Sequence, residues 1–97
     1  MEPKTISKES LAEAIRELAG LLGQSGRGQA AEVLDDEAAS IASGVAPRGL
    51  SALRRMNALR AGLAAAADAA DELERGAPER ARLRALADDI GRALRSN

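Results

Sequence analysis

No cysteine, histidine, phenylalanine, tyrosine or tryptophan occurs in this chain of 97 residues. Each absence excludes something. Without cysteine there are no disulfides and no thiolate metal sites, so any fold rests on packing alone. Without histidine as well, the groups that supply most general bases, nucleophiles and transition-metal ligands are gone. The Ser, Thr, Lys, Asp and Glu that remain stand in no recognisable catalytic arrangement. A carboxylate pair works as acid and base only where a desolvated pocket perturbs its pKa, and a small alanine-rich bundle has little room for one. Haem and iron–sulfur clusters lack their usual ligands. The chain therefore reads as a non-enzyme with no cofactor and no metal. The missing aromatics also remove the stacking platforms on which single-strand nucleic-acid binders rely. No apolar run approaches the roughly 20 residues of a membrane span, and the opening MEPKTISKES has no signal-peptide core. The expected location is the cytoplasm, with no membrane partner.

What is present favours helix. Hydrophobic content is 45%, but alanine supplies about half of it, leaving about twenty Leu, Ile, Val and Met for a core. That is thin for a domain whose size already limits burial. Ala, Leu, Arg and Glu, all strong helix formers, dominate. β-branched residues are few, and none alternate over a strand length. The fold class is all-α: a small bundle of about four helices in a single domain over residues 1–97, with residues 1–7 expected to be disordered.

The breaks divide the chain into helices near 8–23, 28–43, 48–75 and 78–95. In the first, Leu11, Ile15, Leu18 and Leu22 recur at spacings of 4, 3 and 4, one apolar stripe. Ser10 stands three residues before Glu13, which is capping-box spacing, and Ser7 offers an earlier cap. GQSGRG ends this helix. It lacks the Gly-Lys-Ser/Thr ending and preceding strand of a P-loop, so it reads as a turn. In QAAEVLDDEAASIASG the buried stripe is Ala30, Leu34, Ala38 and Ile41, and Gly44 is placed to be a C-terminal cap. Pro47 suits the first turn of the third helix. That helix would be a rod of roughly 42 Å at ~1.5 Å per residue. Its apolar face turns: Leu50 and Leu53 lie on one side, while Leu59, Leu63, Ala66, Ala70 and Leu73 lie more than a right angle away. The two ends should therefore meet different partners, or the helix should bend near NALRAG, where Gly62 permits it. The last helix starts at Pro78, turns Leu83, Leu86 or Ala87, Ile90 and Leu94 inward, and folds back antiparallel.

Charge is uneven although the net is −1. Acids concentrate at Glu32, Asp35, Asp36 and Glu37, on a face adjoining the second helix's apolar stripe. Bases concentrate at Arg48, Arg54, Arg55 and Arg60, a stretch with no acid. The two segments either neutralise each other within the fold or serve partners. The acidic cluster reads as a solvated or partner-facing surface, because calcium sites usually draw six to eight oxygens from a loop.

The segment ASIASGVAPRGLSALRRM, residues 39–56, resembles the helix-turn-helix consensus. Ser40 falls where that family needs a small residue, Gly44 is the turn glycine, Val45 follows, and Leu50 and Leu53 match inward positions of the recognition helix. The resemblance implies that Arg48, Arg54 and Arg55 reach phosphates or bases. A second resemblance covers residues 11–56. An amphipathic helix, a glycine turn, AAEVLDDEAASIASG and GLSALRRM look like small bacterial all-helical proteins of unknown function, some of them of immunity type. It implies a protein that works by covering another protein.

The reading that results is a small bacterial protein-interaction module, an inhibitor, immunity-type or adaptor protein. Its partner-binding residues are the acidic face Glu32, Asp35, Asp36 and Glu37, since acidic inhibitors steer onto basic partners. The basic face is Arg48, Arg54, Arg55 and Arg60. The alternative is a helix-turn-helix transcriptional regulator that turns the basic set toward DNA. A homodimer is expected, with Leu59, Leu63, Ala66, Ala70 and Leu73 as its seam, because small side chains in heptad register let another helix approach closely. The competing arrangement is a monomer whose last helix alone covers that face.

Overall fold

The computed structural model describes residues 8–44 and 48–96. It contains four helices: α1 (Lys8–Gln24), α2 (Gly28–Ala42), α3 (Leu50–Glu72) and α4 (Pro78–Ser96). No strand occurs among the described residues. The small all-α bundle is thus as the composition requires.

The ends of the helices follow from local chemistry. α1 is already helical at Lys8. Ser10 therefore lies inside the first turn and is not the cap that its spacing to Glu13 suggested; Ser7, Val45 and Pro47 lie outside the described residues. Gly44 closes α2 as expected: its φ is +81°, and its amide donates to the Ile41 carbonyl at 3.1 Å. α3 is shorter at both ends than its periodicity suggested. Gly49, at φ +58° and ψ −127°, precedes it in a conformation open essentially to glycine alone. At the other end Leu73 turns extended, and the Arg80 guanidinium donates to its carbonyl at 3.1 Å. Pro78 takes the first position of α4, where its missing amide hydrogen costs nothing.

The helices pack in a ring, α1 on α2, α2 on α3, α3 on α4 and α4 back on α1, with little direct contact between α1 and α3. Ion pairs fix the directions. Arg27 at the start of α2 pairs with Glu72 at the end of α3, whereas Glu37 farther along α2 meets Arg55 near the start of α3. These two helices therefore run antiparallel. Glu17 of α1 pairs with Arg82 near the start of α4, and Asp71 near the end of α3 with Arg84. Each neighbouring pair runs up and down, as short connections require.

The core is aliphatic throughout. Leu11, Ile15, Leu18 and Leu22 are all buried, with Ala12 and Ala19 filling the gaps between them. Leu34, Ala38 and Ile41 answer from α2, and Leu83, Leu86 and Ile90 from α4, with Ala93 buried where Leu94 is only partly so. Full burial of each large side chain contributes about 1.5–3 kcal/mol. No polar or charged side chain is buried among the described residues.

Small residues let the helices approach. The turning apolar face allowed either a bend near Gly62 or different partners at the two ends; α3 runs without a break through NALRAG. Gly62 serves a different purpose. It is buried, and a Cβ there would lie 2.5 Å from Leu34 Cδ2 and 2.8 Å from its Cγ. The Leu34 side chain occupies the space that any other residue would fill. No described helix is long and apolar enough to cross a membrane.

Candidate interaction surface

Among the described residues the acidic and basic stretches meet at one point. Arg55 Nε donates to Glu37 Oε1 at 3.1 Å, and its Nη2 donates to Ser40 Oγ. Both partners of the pair are half-buried. Arg55 and Glu37 are thereby committed to holding α3 on α2, and Ser40 with them. This removes one residue from each of the two expected faces. The remaining acids Glu32, Asp35 and Asp36 are exposed, as are Arg48, Arg54 and Arg60. None of these six has an ion-pair partner among the described residues. Arg60 points elsewhere than Arg54, since six residues along a helix turn it by about 120° at ~100° per residue.

The expected dimer seam lies inside the chain. Leu59, Ala66 and Ala70 are buried, and Leu63 and Leu73 pack against the same core. The close helix approach read from the alanines is therefore made by this chain's own helices. The leucines at the other end reverse their expected role as well. Leu50 and Leu53 do not turn inward as the helix-turn-helix pattern implied; they are 77% and 59% exposed. The reason is length. α3 has 23 residues, against 15 in α2 and 19 in α4. With Arg55 beside Glu37 and Ser40, only two residues of α2 remain above that contact, and the first turn of α3 overhangs.

The overhang is the most apolar exposed feature. Among the described residues the only large hydrophobic side chains that are exposed are Val33, at 43%, Leu50 and Leu53. Arg54 and Arg48 flank the leucines. The N-cap residue Gly49 has no side chain with which to cap the first-turn amides, so the positive end of the helix dipole adds to the arginines. The sequence pattern turns these leucines inward and counts them in neither face; their displacement from the lower apolar stripe was the available signal. What it lacked was the lengths of the neighbours relative to α3.

Beside the overhang runs a groove of ≈ 350 Å³ between α2 and α3. Ala30, Ala58, Ala61 and Gly62 form its small-residue lining, with Val33 and Glu32 on the α2 side. Leu50, Arg54, Ala58 and Ala61 recur at spacings of 4, 4 and 3, so the arginine shares a helix stripe with the groove wall. A larger and more open depression of ≈ 590 Å³ between α3 and α4 is lined by alanines together with Leu83, Arg84 and Asp88, and has no exposed large apolar residue in its lining.

The Glu17 carboxyl is held below its ordinary value by hydrogen bonds from Arg82, one of them 2.6 Å long. Both groups face solvent. No group of three or more acidic side chains capable of holding a metal ion occurs among the described residues. Comparison of the chain with protein-family models, with curated proteins and with solved structures yields no match.

Proposed function

We propose that this protein is a non-catalytic protein-interaction module, of inhibitor or adaptor type, working in the cytoplasm of a bacterium and binding through the overhanging start of α3. The observation that carries the reading is the exposure of Leu50 and Leu53 beside two arginines without ion-pair partners among the described residues. Two leucines on one exposed turn lose free energy to water that a partner restores, at about 1.5–3 kcal/mol for each side chain fully covered. Arg48 and Arg54 set the complementary chemistry: an apolar surface edged with carboxylates. Charge of this kind governs the rate and specificity of encounter, while the leucines supply affinity.

The helix-turn-helix reading loses support from the same residues. A recognition helix needs its inward leucines against the preceding helix, and here they face solvent. Arg55, one of the three residues assigned to phosphates or bases, is engaged with Glu37 and Ser40.

The test is co-purification from the producing cell. The wild-type chain should retain a protein that the Leu50→Asp/Leu53→Asp chain releases. Glu32→Lys/Asp35→Lys should retain it if that partner is a different protein reached through α3 alone. Retention of the partner by the double aspartate variant would overturn the reading.

A further inference from the structure

The surface complementary to the α3 overhang is present on the same chain. Val33, the third exposed large hydrophobic residue, lies on α2 between Glu32 and Asp36, both exposed. It borders the groove whose floor is Ala30, Ala58, Ala61 and Gly62. The molecule thus carries two patches. The first is apolar and basic: Leu50 and Arg54, with Leu53 turned about 60° from Leu50 on the flank away from the groove. The second is apolar and acidic: Val33, Glu32 and Asp36, beside an open groove. The stripe through Arg54, Ala58 and Ala61 joins them.

Within one chain the leucines cannot reach the groove. Leu50 sits on the same helix as Ala58 and Ala61, a rigid helix cannot fold its own first turn back onto its wall, and Arg54 forms no ion pair with Glu32 or Asp36 of its own chain. A second copy can bring its leucines there. We infer that two copies of this chain associate about a two-fold axis, the α3 overhang of each seated in the α2/α3 groove of the other. Leu50 and Leu53 of one copy cover Val33 and the small-residue floor of its partner. Arg54 of each copy faces Glu32 and Asp36 of the other. A two-fold arrangement uses both patches twice and leaves neither uncovered, so the assembly closes at two. The small residues matter here, because side chains larger than alanine at positions 58 and 61 would fill the space that the leucines enter. The inference rests on the reading of the overhang as the binding element and names its partner as a second copy.

Sedimentation of the full chain over about 1–200 µM tests it, a range that spans modest self-association. The expected result is a mass rising from 10.0 kDa toward twice that value. Leu50→Asp/Leu53→Asp should remain monomeric with unchanged helicity. Arg54→Glu and Glu32→Arg should each weaken association at least about tenfold, and the chain carrying both should recover it, because each charge then faces its opposite again. A mass of 10.0 kDa at every concentration would overturn the inference, as would a dimer indifferent to the leucine or charge substitutions. A monomeric chain that still retains a different protein through Leu50 and Leu53 would overturn the two-fold assembly and leave the binding element standing. Loss of both would remove the two together.

Discussion

At the scale of single residues, two glycines and two arginines separate packing from surface. Gly62→Ala gains about 1 kcal/mol of helix propensity but forces a methyl into Leu34 Cγ and Cδ2. Overpacking of that kind costs about 1–3 kcal/mol, so the expected outcome is a lower midpoint of urea unfolding. Gly20 provides the control. It lies exposed inside α1 with nothing within 4 Å of a Cβ, so Gly20→Ala should raise stability by about 1 kcal/mol. Equal effects of the two would contradict the close approach of Leu34 to Gly62. Arg55→Ala should cost about 1 kcal/mol, because the half-buried Glu37 and Ser40 lose a charged donor. Arg54→Ala, on the exposed face, should stay within about 0.5 kcal/mol of the wild type. The sequence shows both arginines in one basic run. Periodicity distinguishes them, since Arg55 stands four residues before Leu59 on the inward stripe, but which residues of α2 it meets depends on where that helix ends.

At the scale of elements, the stripes of α1, α2 and α4 were legible because one helix face needs only its own periodicity to be recognised. Leu11, Ile15, Leu18 and Leu22 became the α1 core as spaced. α3 was legible only in part. Its two apolar faces were evident, but periodicity names faces and not occupants. The lower face is covered by this chain's own helices, and α2 and α4 are too short to cover the upper end, where Leu50 and Leu53 are exposed. Glycine 62 carried the same ambiguity: a residue without Cβ marks either a bend or a close approach, and only the position of Leu34 decides. One tie between elements responds to pH. Arg82 holds the Glu17 carboxyl below its ordinary 4.5 by hydrogen bonding, so protons bind the unfolded chain more tightly at that site. The stabilisation is complete above the ordinary value and is lost as pH falls through the lower folded value. Both groups face solvent, so the loss is small. Acid titrations of wild type and Glu17→Gln should show the wild type losing its slight advantage below about pH 4.5; an advantage that grows on acidification would contradict the pairing.

At the scale of the whole molecule, net charge near zero offers no long-range attraction to nucleic acid. A gel-shift series at physiological salt should show no complex tighter than about 10⁻⁷ M and no preference over random DNA. Selective binding lost in Arg54→Ala would instead support the regulator. The central claim is that the first turn of α3 is where this protein meets another protein. A photo-crosslinking side chain at Leu53, activated in the producing cell, tests it most directly against the same group at Ala81 on the exposed side of α4. The account predicts a discrete protein adduct from position 53, with this chain or with another, and none from position 81. No adduct at 53, or equal capture at both positions, would contradict it.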